Sequence, residues 1–145
     1  MRMVTIHDGA DCKRFRVPSA SDWGDLAAYV ASTLKPGDIL ALSGPLGAGK
    51  TTFVQALAKA LGATRVPRSP TFALIRSYPL HRRGPLKRLV HVDAYRIEHP
   101  SEILALDLDE ELADGKTAVA IEWPENIKSW LKGKRTISVV IHSGR

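Results

Sequence analysis

The chain has 145 residues, one cysteine, 44% apolar and 25% charged residues and a formal net charge of +6. These values describe an ordinary water-exposed globular domain of 1–145 with room for a proper core, and they exclude a disulfide scaffold, a collagen-like repeat and a charge-dominated disordered chain. The basic excess suits RNA, nucleotides or an acidic protein without selecting among them, and no RNA-binding signature or row of stacking aromatics accompanies it.

The first eight residues lack the apolar stretch of a secretory leader, and no apolar run approaches the ~20 residues that span a bilayer. A cytoplasmic protein is expected, with Cys12 as a partly buried small hydrophobe. Residues 13–17 alternate weakly and predict a short edge strand. A helix is expected from Ser21 as N-cap, with Asp22 and Asp25 in its first turn. Trp23, Leu26, Ala27, Val30 and Leu34 recur at helical spacing, which makes Trp23 a core residue rather than a ligand contact. Lys35-Pro36-Gly37-Asp38 stops that helix and turns the chain into the apolar strand Ile39-Leu40-Ala41-Leu42.

That strand runs into Gly44-Pro45-Leu46-Gly47-Ala48-Gly49-Lys50-Thr51-Thr52. A good helix former over residues 53–61 follows. Strand, Gly-x-x-x-x-Gly-Lys-Thr and helix in that order make a phosphate-binding P-loop. Its glycines let successive N–H groups converge on one anion, and the helix aims the positive end of its dipole at the same point. Gly44, Leu46, Gly47, Ala48, Gly49 and Thr52 are expected to wrap the phosphates, Lys50 to reach the β- and γ-phosphates, and Thr51 to ligate Mg²⁺.

Gly62 is the expected helix stop, and residues 64–71 form a loop held extended by two prolines. Residues 72–78 and 89–93 predict an antiparallel hairpin with a short basic tip, read as a solvated turn rather than as a kinase-like lid. A helix with a solvated acidic face is expected from Ser101 to Gly115. An apolar strand over 117–121 follows and stops at Glu122. A short helix over 125–131 and a β-branched strand over 136–141 complete the chain. Strands alternating with helices imply a single-domain, three-layer α/β P-loop NTPase-like fold with a mixed, mainly parallel central sheet.

Ligands in such sheets lie beyond the carboxyl ends of the parallel strands, where two apolar strands end in an acid: Asp93 and Glu122. In P-loop enzymes one such acid completes the magnesium shell, and a second orients the attacking group. Spacing alone leaves the division of roles open. Asp93, shorter and in the more usual position, is assigned to Mg²⁺, and Glu122, with its longer reach, to positioning water; both enter the set of metal candidates with Thr51. His91 shares a strand face with Asp93 and is read as a hydrogen-bonded core histidine. Thr71 sits where a mobile loop would bring a hydroxyl to the metal or γ-phosphate. Arg96 is equally suited to neutralising phosphate charge and to a surface pair with Glu98. Trp123 would pack on a nucleotide, on a partner or in the core.

Gly-x-Leu-Gly-Ala-Gly-Lys-Thr-Thr at 44–52, Ser69-Pro70-Thr71-Phe72, His91-Val92-Asp93-Ala94-Tyr95-Arg96 and Glu122-Trp123-Pro124-Glu125 together resemble the TsaE (YjeE) family of bacterial tRNA threonylcarbamoyladenosine biosynthesis ATPases. The resemblance implies a small ATPase with ATP and Mg²⁺ as cofactors. It would act with the proteins TsaD and TsaB, resetting the complex between turnovers without performing the transfer itself. It implies indirect involvement of tRNA and neither a membrane nor DNA as partner. By motif, Lys50 and Thr51 hold phosphate and Mg²⁺, Asp93 is the Walker B-like acid, Thr71 lies in a switch-like loop, and Glu122 and Trp123 line the site. Pro45 departs from the family, which usually has Asp there; proline removes one backbone donor and that carboxylate. Relatives often continue into a further strand beyond Arg145. The alternative reading is a small-molecule P-loop kinase; no guanine-reading Asn/Thr-Lys-x-Asp motif favours a GTPase.

Overall fold

In a computed structural model, residues 2–18, 23–45, 47–64, 75–95, 97 and 108–142 are described. Their strands form one seven-stranded sheet. A hairpin opens the chain, β1 (Arg2–Asp8) and β2 (Asp11–Val17). Then come helix α1 (Trp23–Thr33), strand β3 (Ile39–Ser43), helix α2 (Lys50–Ala60), and the antiparallel pair β4 (Ile75–Pro79) and β5 (Arg88–Asp93). Helix α3 (Leu108–Ala113), strand β6 (Thr117–Glu122), a 3₁₀ turn at Pro124–Ile127, helix α4 (Lys128–Leu131) and strand β7 (Thr136–His142) follow.

The sheet order is β2-β1-β7-β3-β6-β5-β4. Strands β7, β3, β6 and β5 are parallel, with β1 and β4 antiparallel on their flanks. The fold is therefore the expected P-loop NTPase-like α/β arrangement. The terminal strand β7 is inserted between β1 and β3, so it is an inner strand and the described sheet edges are β2 and β4.

The strand at residues 2–8 was not expected from the sequence. Its signals are the alternation of Val4 and Ile6, both buried, with Met3, Thr5 and His7, and the Asp8-Gly9 step. Gly9 has φ 62° in a two-residue loop between paired Asp8 and Asp11, a conformation that glycine adopts without steric cost. Cys12 corrects a further expectation: it is exposed, because β2 is an edge strand and Cys12 sits opposite His7 on the side away from the core.

Two-residue periodicity divides the core. On one face Leu40, Leu42, Ala118, Ala120, Val139 and Ile141 meet Trp23, Leu26, Val30, Phe53, Val54 and Leu57 of α1 and α2. On the other, Ile39, Val90, Val92, Val119 and Ile121 meet Leu108, Ile127 and Trp130. Each fully buried Leu, Ile or Phe here contributes about 1.5–3 kcal/mol of transfer free energy. Residues 19–22, 65–74 and 98–107, with the expected N-cap Ser21, the expected extended loop and the candidate Glu98, lie outside the described residues, as do Leu46, Thr71 and Arg96.

The basic hairpin tip is solvated, as expected, apart from buried Leu86. It joins β4 to the amino end of β5, whereas Asp93 is at the carboxyl end of β5. The tip is thus at the opposite end of the sheet from the P-loop, and His81 donates from its backbone N–H to Gly62 just past α2 at 3.0 Å. The acidic face is partly engaged: Glu111 and Asp114 both bind the Arg88 guanidinium.

Candidate nucleotide site

The site is assembled where β3, β5 and β6 end on the same edge of the sheet. β3 delivers the chain into residues 44–49, and α2 begins at Lys50. Gly49 caps that helix with φ 102°, a left-handed conformation that a side chain would strain. A Cβ there would also lie 2.8 Å from the Trp23 ring, and one on Gly44 would lie 2.8 Å from the backbone oxygen of Ile141. A tryptophan of α1 thus leaves no room for a side chain at Gly49. Trp23 is a core residue as expected, and it also packs against the bend at Gly49, which helical spacing alone did not indicate.

Lys50 is the buried end of the loop, 5% exposed. Its ammonium donates to the backbone oxygens of Gly44 at 2.5 Å and Pro45 at 3.2 Å, and lies 3.7 Å from the centre of the Trp123 ring. Burial lowers its pKa, and the charges of Glu122, Glu125 and Asp93 oppose that shift only in part. Trp123 holds this position with φ 60° and ψ 53°, costly for a bulky residue and tolerated where surrounding contacts enforce it. Those contacts are the bond from the Asn126 N–H to the Trp123 carbonyl at 3.1 Å and the Tyr95 ring 5.0 Å away.

The strand register places the acids. Glu122 pairs with Leu42 of the P-loop strand on one side and with Asp93 on the other, because β6 lies between β3 and β5. Glu122 is 3% exposed. The Thr51 hydroxyl lies 2.9 Å from each of its carboxylate oxygens, and His91 Nε2 lies 2.5 Å from Oε2. Burial acts to raise the Glu122 pKa, but the His91 and Thr51 hydrogen bonds and the Lys50 charge outweigh it, so the net shift is downward. A carboxylate only accepts, so Thr51 and His91 are both donors. Asp93 is half-buried, and its Oδ1 accepts from the Tyr95 N–H at 3.1 Å.

A cleft of about 320 Å³ gathers Gly47, Ala48, Gly49, Lys50, Thr51, Thr52, Asp93, Glu122 and Trp123, nine of the residues singled out from the sequence, together with Tyr95. Gly44 takes part through its carbonyl beneath Lys50. Tyr95, 51% exposed at the rim, was not singled out, although it lies within a motif that was. The arrangement has the parts of a phosphate and hard-cation site: a cation, a helix N-terminus and glycine-loop amides beside one hydroxyl and two carboxylates. Among the described residues no three His, Cys, Asp or Glu side chains form a metal cage of their own.

Comparison with known proteins gives the family of the chain. The family model for threonylcarbamoyl adenosine biosynthesis protein TsaE matches residues 17–145. The chain is 39% identical to the tRNA threonylcarbamoyladenosine biosynthesis protein TsaE of Bacillus subtilis over 131 residues, covering 90% of this chain and 78% of that protein. It is 38% identical to the protein of the same name from Aquifex aeolicus over 118 residues, 80% of each. A crystal structure of Bacillus subtilis YdiB superposes with a TM-score of 0.66 at 29% identity, covering 100% of this chain and 80% of that one. A family model that spans residues 17–145 and relatives 38–39% identical over most of their length show that the chain belongs to the TsaE family.

Proposed function

We propose that this protein is the ATP-binding and ATP-hydrolysing subunit of the bacterial machinery that makes threonylcarbamoyladenosine in tRNA, working with TsaD and TsaB to sustain repeated turnover. The observation that carries the reading is the convergence of Lys50, Thr51, Asp93 and Glu122 on one cleft at the P-loop. The amides of residues 47–52 and the α2 dipole would hold the triphosphate. Its γ-phosphate would compete with the Gly44 and Pro45 carbonyls for the Lys50 ammonium. Pro45 keeps its carbonyl in this arrangement, so its missing N–H leaves the lysine's anchorage intact.

The donor set is all oxygen, as Mg²⁺ prefers, and Thr51, Asp93 and Glu122 are the residues that would hold it. Bound there, Mg²⁺ would neutralise charge on the β- and γ-phosphate oxygens. Contact with Thr51 favours Glu122 as the acid nearer the ion, with Asp93 at the more open rim. That ordering reverses the assignment suggested by strand position. Trp123 and Tyr95 offer an aromatic wall beside the cleft for a base or a partner.

Among the described residues no helix is long and apolar enough to cross a membrane. The small-molecule kinase reading loses its lid, since the basic tip of the β4–β5 hairpin stands at the far end of the sheet. The deciding experiment is tRNA modification reconstituted with TsaD, TsaB and the adenylate-forming enzyme. With this chain, product should accumulate over many cycles with release of inorganic phosphate; with Lys50→Ala it should stop after about one. Equal product with and without the chain would refute the reset role, and phosphate transferred to a metabolite would favour the kinase.

A further inference from the structure

His91 is buried at 3% exposure, with Nε2 on Glu122 Oε2 at 2.5 Å and Nδ1 buried and without a hydrogen-bond partner. His91 is thus the hydrogen-bonded core histidine expected from the sequence, although buried polar atoms usually all find partners. This one leaves one nitrogen unmatched and gives the other to a single carboxylate. Glu122 is held from two sides, by His91 from β5 and by Thr51 from α2. The two donors differ in kind. Thr51 is the hydroxyl of the P-loop, whose oxygen a metal ion would claim, whereas His91 is buried in the sheet and has no other partner among the described residues.

We infer that His91 is a positioning residue, whose Nε2–H fixes the Glu122 carboxylate when Thr51 turns from it toward a metal-bound nucleotide. The inference rests on the nucleotide reading above and extends it to a residue that touches neither phosphate nor ion. Position 91 lies two residues before Asp93, one full pleat back from the strand end. Parallel pairing of β5 with β6 matches Asp93 to Glu122 and His91 to Ala120, whose methyl side chain takes little space next to the ring. The imidazole thereby reaches the Glu122 carboxylate from β5, the neighbour of β6 on the side opposite β3.

The test compares isosteres in the full chain by calorimetric titration with ATP, with and without Mg²⁺. Gln places an amide N–H near the position of Nε2, whereas Asn places it near that of Nδ1, short of Glu122. ATP affinity without Mg²⁺ should be the same in wild type, His91→Gln and His91→Asn. The tightening of ATP by Mg²⁺ should fall about tenfold in His91→Asn and be largely restored in His91→Gln, the size of effect typical of a partner that orients a metal ligand. His91→Gln and His91→Asn behaving alike, whether both as wild type or both impaired, would overturn the inference.

A second measurement needs no substitution. Nitrogen-15 spectra of the wild-type imidazole should show the proton on Nε2, both in the free chain and with ATP and Mg²⁺ added. A proton found on Nδ1 instead would also overturn the inference. Failure of the underlying nucleotide reading would look different: wild-type ATP affinity would be absent or indifferent to Mg²⁺ before any change at His91, and the inference would fall with it.

Discussion

Asp93 and Glu122 end neighbouring parallel strands directly opposite one another, yet they live in different surroundings. Glu122 is on the strand next to the P-loop strand β3 and is held by Thr51 and His91. Asp93 is one strand farther from the P-loop, half-buried, and binds the backbone two residues on. Two carboxylates with the same sequence signature thus have different physical tasks: one is part of the interior and is held in place, while the other meets solvent at the rim. The comparison teaches that the number of strands between an acid and the P-loop decides whether it is built in or left free.

The largest effect should come from removing the acids one at a time and measuring denaturant unfolding. Glu122→Ala strands the buried His91 donor and the half-buried Thr51 donor and removes the carboxylate charge that acts most strongly on Lys50, so a loss of about 3 kcal/mol is expected. Asp93→Ala should cost about 1 kcal/mol or less, because water replaces its one backbone bond. Equal losses would break the distinction between the two strand ends.

A smaller effect sharpens it. Thr51→Val keeps the shape and removes one donor to Glu122, with an expected cost of about 1 kcal/mol, while Thr51→Ser should restore the bond. The check is the same unfolding curve for all three proteins, and a Thr51→Val protein as stable as wild type would show that the Thr51 contact carries no stability.

The smallest effect is in pH dependence. The Glu122 pKa is lowered in the fold from its ordinary value of 4.5. Below about 4.5 the unfolded chain therefore binds more protons at this site, and stability falls with acid. The contribution is complete above the unfolded value and is lost as pH drops through the folded one. Wild type should lose stability below that point more steeply than Glu122→Gln, as read from melting temperatures across the acid range. Parallel curves would contradict the assignment of a charged, hydrogen-bonded carboxylate at this position.

The same contrast explains what could be read in advance. The P-loop and both strand-ending acids were legible because each is contiguous: an apolar run, then the chemistry at its end. Trp23 and the hairpin β4–β5 were legible through helical spacing and strand alternation, and the structure adds that Trp23 limits how closely a side chain at Gly49 could approach. The contact that ranks the two acids was not legible. It joins Thr51, His91 and Glu122 from three elements, and only the insertion of β6 between β3 and β5 brings them together. Strand β1 was missed for the opposite reason: its alternation was present, but the stretch was weighed only as a possible leader. Cys12 was misplaced because it was read by residue type, outside the strand expected at 13–17, whereas it lies on the edge strand β2 and is exposed.

The central claim is that a metal-bound triphosphate sits between the P-loop and these two strand ends. Its most direct test substitutes Mn²⁺ for Mg²⁺ with ATP and follows paramagnetic broadening of the backbone amide signals. The account predicts that signals of Thr51, Asp93 and Glu122 disappear at the lowest Mn²⁺ additions while those of the β1–β2 hairpin stay sharp. Sharp signals at all three positions in the presence of bound Mn²⁺–ATP would contradict it.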